Sequence, residues 1–497
     1  MSTHFSDDVD CGTVDDDRQK ASSLICDREF FVNAILTACV VVGAASSGMA
    51  MGYPAILLPQ LKSNNSTLYT DDEMGSWIAS IISASMPIGS VISGILVDKI
   101  GRKLTLHAQP SLVILGCLLI AFAHNHAMIL VGRLICGMAS GWGMVACQVY
   151  VGEVSTPKAR GILSSTPFVS YALGILLVYA LGSLEWRVVA GLSTITSIIS
   201  VLMYFLCRES HVWLIRQGKI REATIACIWF RGNKIKEAHK EIEEIITRYK
   251  NEKIVINNWK CVFEPYSLKP LVITTIFNLL QTLSGVYVVV FYASDLIGEM
   301  GIGNLEISEM FAAILTAVVR LAFSIVACLL LHRINRRSLA LLSGLSTAVT
   351  ALTLGICLHF QINSYFMPIC LLVYVAANTI GLLILPGVMI GELFPARVRG
   401  ITGGLSYTLL NIFMFGVAKL YPWIKGTLKI YGLFCLFGVS ALLLCVLVYF
   451  TLPETRNKTL GDVEDYFKAD GIFWSTKKEK KVLEAIDSSR KVADTSI

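Results

Sequence analysis

The residues of this chain best suited to do chemistry are charged groups that recur in two sets. Asp98, Arg102 and Lys103 share one turn between apolar runs, and Glu153 and Arg160 close a later run. Arg336 and Arg337, then Glu392 and Arg399, hold the matching places in a second half. Acids and bases at the ends of helices can lock those ends together in one arrangement and release them in another, which is the chemistry of a gate. The bland alternative is a plain excess of positive charge beside a membrane, with surface pairs worth ~0–1 kcal/mol each. The return of acids together with bases in both halves favours the gate. Arg320 stands apart, because it lies about eleven residues from either end of an apolar run, too deep to reach water easily. Burial there costs ~2.5 kcal/mol or more, so its guanidinium must face a cavity or a partner: a solute's oxygens, an anionic group, or backbone carbonyls and structural water. None of this is covalent chemistry. There is no phosphate-cradling glycine loop, no Cys/His metal spacing and no nucleophile beside a base, so the chain reads as a non-enzyme with no cofactor and no metal.

The elements that must position these groups are long apolar runs. Hydrophobic residues make up 54% of the chain and charged residues 16%, with a mean hydropathy of +0.64, which excludes a soluble domain. Runs long enough to cross a bilayer fall at 31–58, 76–97, 104–123, 127–151, 162–182 and 187–206, and again at 269–294, 309–331, 338–359, 367–391, 402–423 and 428–451. The expected fold is therefore an all-α membrane protein of twelve transmembrane helices in two six-helix halves, 31–206 and 269–452. Residues 1–30 read as a disordered cytoplasmic tail and 453–497 as a second one. The polar linker 207–268 interleaves Lys and Arg with Glu237, Glu241, Glu243 and Glu244, while Ile235, Ala238, Ile242, Ile245 and Ile246 recur at helical spacing, as in amphipathic helices with one solvated face. Most of the fourteen cysteines sit inside apolar runs as small hydrophobes. No basic stripe is interleaved with aromatics, so nucleic acid is excluded as a partner, whereas a lipid bilayer is required.

Loop charge orients the bundle. The turns with Lys99, Arg102 and Lys103, Lys158 and Arg160, Arg333 to Arg337, and Arg397 and Arg399 are basic, which places them and both termini in the cytoplasm. Loops 59–74 and 295–309 are acidic; Lys419, Lys425 and Lys429 depart from that trend. Asn64 and Asn65 begin overlapping glycosylation sequons in the first outer loop. A charge pattern repeated at half the chain's length is what a two-fold transporter produces, with its solute site between the halves.

Several motifs in order resemble the sugar porter family of the major facilitator superfamily, over roughly residues 31–465. They are Gly94 to Lys103; Gly132-Arg133 with Gly137 and Gly141; Tyr150-x-x-Glu153; Arg160-Gly161; Glu209-Ser210 with Trp213-Leu214; Gln281-x-x-Ser284-Gly285 with Phe291-Tyr292; Pro386, Glu392, Phe394-Pro395 and Arg399-Gly400; and Pro453-Glu454-Thr455. The style of the first and tenth spans is similar to the arthropod trehalose-transporter-like branch. The resemblance implies the major facilitator fold and facilitated movement of a small sugar or polyol by alternating access, in the plasma membrane. It also implies a solute site that includes Gln281, Thr282, Ser284, Tyr287, Phe291, Tyr292, Asn378, Thr379 and Arg320.

The sugar-contacting positions are where the resemblance thins. The family's second glutamine in the seventh helix is Thr282 here, and an asparagine is replaced by Tyr287. The fifth helix offers Thr166-Pro167-Phe168, the tenth has Gly387 in place of a tryptophan, and the eleventh-helix asparagine falls on Leu410 with Asn411 beside it. Arg320 stands where the family commonly has a sugar-contacting asparagine. Proton-coupled members usually carry an acid in the first helix, and this chain has none between Phe30 and Gln60, which favours uniport. A carrier of another, anionic solute and a non-transporting membrane sensor remain open alternatives, the short polar tail weighing against the sensor.

Overall fold

A computed structural model of the chain describes residues 11–63, 68–155, 160–252, 264–299, 309–360, 366–394, 399–455 and 466–467. Among them there is no strand. Helices α1 (Cys11–Gly52), α2 (Pro54–Lys62), α3 (Asp72–Ile100), α4 (Arg102–Ala121), α5 (His126–Val154), α6 (Arg160–Ala180) and α7 (Trp186–Leu206) build the first half. The linker forms α8 (His211–Arg216), α9 (Ile220–Phe230) and α10 (Ile235–Glu252). The second half contains α11 (Pro265–Leu283), α12 (Val288–Phe291), α13 (Ala293–Glu299), α14 (Glu309–Arg333), α15 (Arg336–His359), α16 (Phe366–Ile380), α17 (Leu385–Leu393) and α18 (Arg399–Thr451). This is the twelve-span fold expected, six spans to each half. The outer wall of the bundle exposes Val91, Ile95, Leu202, Leu329, Leu345, Leu443 and Val446, a surface suited to lipid and not to water.

Some boundaries differ from expectation. Helix α1 begins at Cys11, inside the segment read as a disordered tail; adding residues to an existing helix fixes one hydrogen bond per residue and avoids a new nucleus. The first span breaks at Tyr53, where Pro54 removes a donor, and resumes to Lys62. The seventh breaks between Leu283 and Val288, with Gly285 at φ 82°, and the tenth breaks between Ile380 and Leu385. The last two spans form one helical run parted only at Lys429, φ 55°. Asn64 and Asn65, and the side chains of Arg160 and Arg399, lie outside the described residues.

Gly137 and Gly141 serve close approach, as the small-xxx-small spacing predicts. A Cβ on Gly137 would stand 2.3 Å from Ile82 O, and one on Gly141 2.0 Å from Met86 O. Across the same seam a Cβ on Gly89 would stand 1.9 Å from Met138 O. Helices α3 and α5 thus touch backbone to backbone, with Ser90 Oγ donating to Gly141 O (3.1 Å) and Ser93 Oγ to Trp142 O (2.9 Å).

The linker helices lay Leu214, Ile215, Ala223, Ala226, Cys227, Phe230, Ala238 and Ile242 against the base of the first half. Tyr150 Oη donates to Arg208 O (2.8 Å) and Arg231 Nη1 to Val154 O (3.0 Å), which moors the segment. Folding also gathers His211, Cys227 and Glu241, whose ligand atoms lie within 4.8 Å of one another. Arg231 takes Glu241 through two hydrogen bonds of 2.6 and 2.7 Å. Burial pushes the Glu241 carboxyl up, but His211 and Arg231 outweigh it and hold it at about 2. A carboxyl held below its unfolded value stabilises the fold above pH ~4.3, the ordinary Glu value, and that contribution disappears as pH falls through its folded value.

Replacing Gly141 by Val should therefore separate α3 from α5, at a cost of about 1–3 kcal/mol or more. Size-exclusion chromatography of a fluorescent fusion should show loss of the monodisperse peak, whereas Gly152→Ala, where a Cβ meets nothing within 4 Å, should keep it.

Candidate functional site

A cavity of about 140 Å³ lies between the halves at mid-bundle. The first half contributes Ser47 of α1, Gln109 of α4, Ser140 of α5 and Phe168 and Tyr171 of α6; the second contributes Tyr287, Arg320, Tyr407 and Asn411. Met51, Met86, Ile175, Leu383 and Met414 supply apolar wall. Gln109 Nε2 donates to Ser46 Oγ (3.2 Å) and Ser47 Oγ (3.1 Å), which fixes its amide against α1. Asn411 Nδ2 donates to Tyr407 O (2.8 Å), one turn back on α18. Donors, acceptors and flat rings of this kind suit a small polyhydroxylated solute.

Only two of the predicted solute residues, Tyr287 and Arg320, line this cavity. Gln281 lies behind the wall at 0% exposure, next to the Tyr287 hydroxyl, with both amide atoms lacking a partner in hydrogen-bonding geometry. Thr282 Oγ1 donates to Asn278 O (2.7 Å), Ser284 Oγ to Gln281 O (2.7 Å) and Thr379 Oγ1 to Val375 O (2.6 Å), so these hydroxyls are spent on their own helices. Asn378 is buried, with its Oδ1 3.3 Å from Thr379 Oγ1. Phe291 and Tyr292 belong to the far end of the bundle, where Tyr292 stacks on Tyr421 at 4.1 Å and donates to Ala418 O (2.9 Å). Gln109, Tyr171 and Tyr407 were missed; Gln109-Pro110 within an apolar run was the available signal. Gly387 is explained by Phe168, whose ring atom would stand 2.4 Å from a Cβ there: the ring from α6 fills the space beside α17.

The two ends of the bundle are unlike. At the end away from the basic turns, one core contains Ile56, Leu57 and Ile82 of the first half with Phe291, Leu296, Met414 and Tyr421 of the second. Cross-half hydrogen bonds seal it: Tyr179 Oη to Val290 O (2.8 Å), Ser294 Oγ to Ala55 O (2.8 Å) and Lys419 Nζ to Ser76 Oγ (2.8 Å). Two of the three lysines that broke the charge trend have partners here, Lys425 with Asp295 at 2.9 Å and Lys419 over the Trp77 ring at 4.1 Å. At the basic end the cores are separate, one of the first half with the linker and one of the second half with Tyr466 and Phe467. The cavity is therefore closed on one side and extends toward the basic side.

The predicted charge clusters assemble, each within its own half. Arg102 grips Glu153 through Nε (2.9 Å) and Nη2 (2.6 Å) and donates Nη1 to Val97 O (2.9 Å); Asp98 stands 3.0 Å away. Glu209 accepts from the backbone N–H of Arg102 (2.8 Å) and Lys103 (3.1 Å), and Ser210 Oγ donates to Glu153. The second half repeats this arrangement, except that His332 stands in sequence where the first half has Asp98. Arg336 holds Glu392 (2.9 Å) and donates to Leu331 O (2.7 Å), Glu454 accepts from the N–H of Arg336 (3.1 Å) and Arg337 (3.3 Å), and Thr455 Oγ1 donates to Glu392. Both pairs are made here, and each ties neighbouring helices of one half. Glu209-Ser210 and Glu454-Thr455 were legible as motifs but not as members of the clusters.

The family model "Sugar (and other) transporter" matches residues 37–467. The chain belongs to this family. The transporter is 29% identical over 434 residues to the facilitated trehalose transporter Tret1 of Bombyx mori, covering 86% of this chain and 85% of that one. It is 30% identical over 451 residues to the Tret1 of Apis mellifera ligustica, covering 87% of each. Among solved structures, it matches the proton:xylose symporter XylE bound to 6-bromo-6-deoxy-D-glucose with TM-score 0.73 and 19% identity, over 87% of this chain and 99% of that one. The inward-open xylose transporter XylE from E. coli matches with TM-score 0.71 and 18% identity, over 86% and 98%. The chain is a multi-pass membrane transporter of sugar-porter type and not an enzyme.

If each cluster braces its own half, Arg102→Glu and Glu153→Arg should each lower transport at least tenfold, and the double exchange should recover part of it. The measure is initial uptake normalised to surface protein.

Proposed function

We propose that the chain is a uniporter that moves a sugar-class solute (hexose, trehalose or polyol) down its gradient across the plasma membrane by alternating access. One observation carries the reading: a cavity with polar arms between two halves that are zipped at one end and separate at the other. Basic turns favour the cytoplasm, so the termini and the separate end face inward and the form described is inward-facing. Met310 packs at Gly182 near one end of the α6–α14 seam, and Cys328 Sγ reaches Ser165 O (3.7 Å) near the other, a line about which the halves can rock. In the outward-facing form the two basic ends meet, and the acids Asp98, Glu153 and Glu392 lock with Arg102, Lys103, Arg160, Arg336, Arg337 and Arg399 at the gate. Asn64 or Asn65 in the outer loop serves as glycan acceptor.

Uniport is supported by the cavity wall, in which no Asp or Glu occurs among the described residues, and by relatives named as facilitated trehalose transporters. A panel of labelled sugars and polyols, given to transporter-deficient cells expressing the chain, should reveal at least one that enters saturably and equilibrates without regard to a protonophore. Uptake that the protonophore abolishes would replace uniport with proton coupling.

The unpaired Gln281 amide is the second test. A buried amide without partners costs about 1–3 kcal/mol, so a role in the solute path explains its presence once Tyr287 moves aside. Gln281→Leu should raise the melting temperature by a few degrees and raise KM several-fold; the first effect without the second would remove Gln281 from the path.

A further inference from the structure

Among the described residues, two arginines lie buried well inside the spans, Arg133 and Arg320, and they are held differently. Arg133, 1% exposed, donates to Ala50 O (2.8 Å), Ile78 O (3.0 Å) and Ala79 O (3.5 Å). Its charge is absorbed by main-chain dipoles, as a structural arginine requires. Arg320, 3% exposed, donates to Val286 O alone, at 3.4 Å, beyond the usual range of a strong N–H···O bond. It lines the cavity, and no carboxylate accompanies it among the described residues there. Its titratable neighbours are the phenols Tyr179, Tyr374 and Tyr287. The hydroxyls of Tyr179 and Tyr374 donate to Val290 O and Ser284 O and so offer no counter-charge. A planar fork of five donors therefore faces an apolar chamber with most of its hydrogen bonds unmade.

We propose that the counter-charge arrives with the cargo: the cavity takes a polyhydroxylated monoanion of the sugar-acid class, its carboxylate on Arg320 and its hydroxyls on Gln109, Tyr407 and Asn411. This rests on the reading of the chain as a carrier of sugar-class solutes and narrows the class. A guanidinium matches a carboxylate with two parallel hydrogen bonds, and the methionine, leucine and phenylalanine walls strengthen that pairing by excluding water. A neutral sugar cannot neutralise Arg320. The same positive site could also be filled by a small inorganic anion bound beside a neutral sugar.

The test uses the full chain in proteoliposomes, with labelled glucuronate and glucose as probes, in chloride or in sulfate medium, and with a potassium–valinomycin potential. Glucuronate should enter roughly 10- to 100-fold faster than glucose, the value of one charge-assisted pair, and faster still when the interior is positive. Arg320→Gln should abolish the preference, and Arg320→Lys, which keeps the charge and loses the bidentate fork, should keep part of it. Glucose uptake that depends on chloride, with the dependence lost in Arg320→Gln, keeps an anion site at Arg320 but overturns the sugar-acid cargo, the inorganic anion being its partner. Glucose outrunning glucuronate in both media, or a preference that survives Arg320→Gln, overturns it. If neither sugar is carried, melting curves decide between the two readings. Stabilisation of the native chain and, more weakly, of Arg320→Lys by glucuronate or chloride, absent in Arg320→Gln, keeps the anion site while the carrier reading fails. No stabilisation of the native chain by either anion overturns the site itself.

Discussion

Inside a bilayer no water is available to satisfy the backbone, so a helix can break only where protein supplies the missing partners. The breaks in this bundle obey that constraint and thereby shape the cavity. Between α11 and α12, Ser284 O accepts from Tyr374 and Val286 O from Arg320. Between α16 and α17, the N–H groups of Gly381 and Leu382 both donate to Ser343 Oγ, which itself donates to Ala377 O. At the first break, Pro54 has no N–H for Ala50 O, which accepts from Arg133 Nη1 instead (2.8 Å). Each interruption turns a rigid rod into a bend that faces the space between the halves, and Tyr287 and Leu383 enter the cavity wall from two of them.

The same economy of polar groups appears at the basic end. A Glu beside a Ser or Thr accepts the free N–H groups that begin α4 and α15, while the hydroxyl next to it orders the partner of the cluster arginine. Helix N-termini favour an acid for reasons of unsatisfied donors and dipole alike. In the first half that acid comes from the start of the linker, and in the second from the segment after the last span. Each half is thus clamped to the chain that leaves it, which lets it move as a unit.

Much of this was legible early. The twelve apolar runs, the repeated charges and the close-packing glycines all announce themselves in sequence, because burial in lipid imposes a composition that few other folds require. The members of the solute site were less legible. Gln281 and Thr282 belong to a family motif, yet one is sealed behind Tyr287 and the other bonded to its own helix. Gln109, Tyr171 and Tyr407 come from spans that carry no comparable motif. Period and composition say which residues are apolar and leave open the rotation of each helix.

By itself the sequence determined the number of spans, their division into halves, the family and the depth of Arg320, since these follow from hydropathy and spacing along one chain. Only the tertiary structure decided which polar side chains share a cavity, that the charge clusters close within halves, and that Arg320 lacks the carbonyl cage that Arg133 enjoys. Those are relations between helices distant in sequence. Such relations are set by ridges, small residues and helix breaks acting together, and no local pattern encodes them.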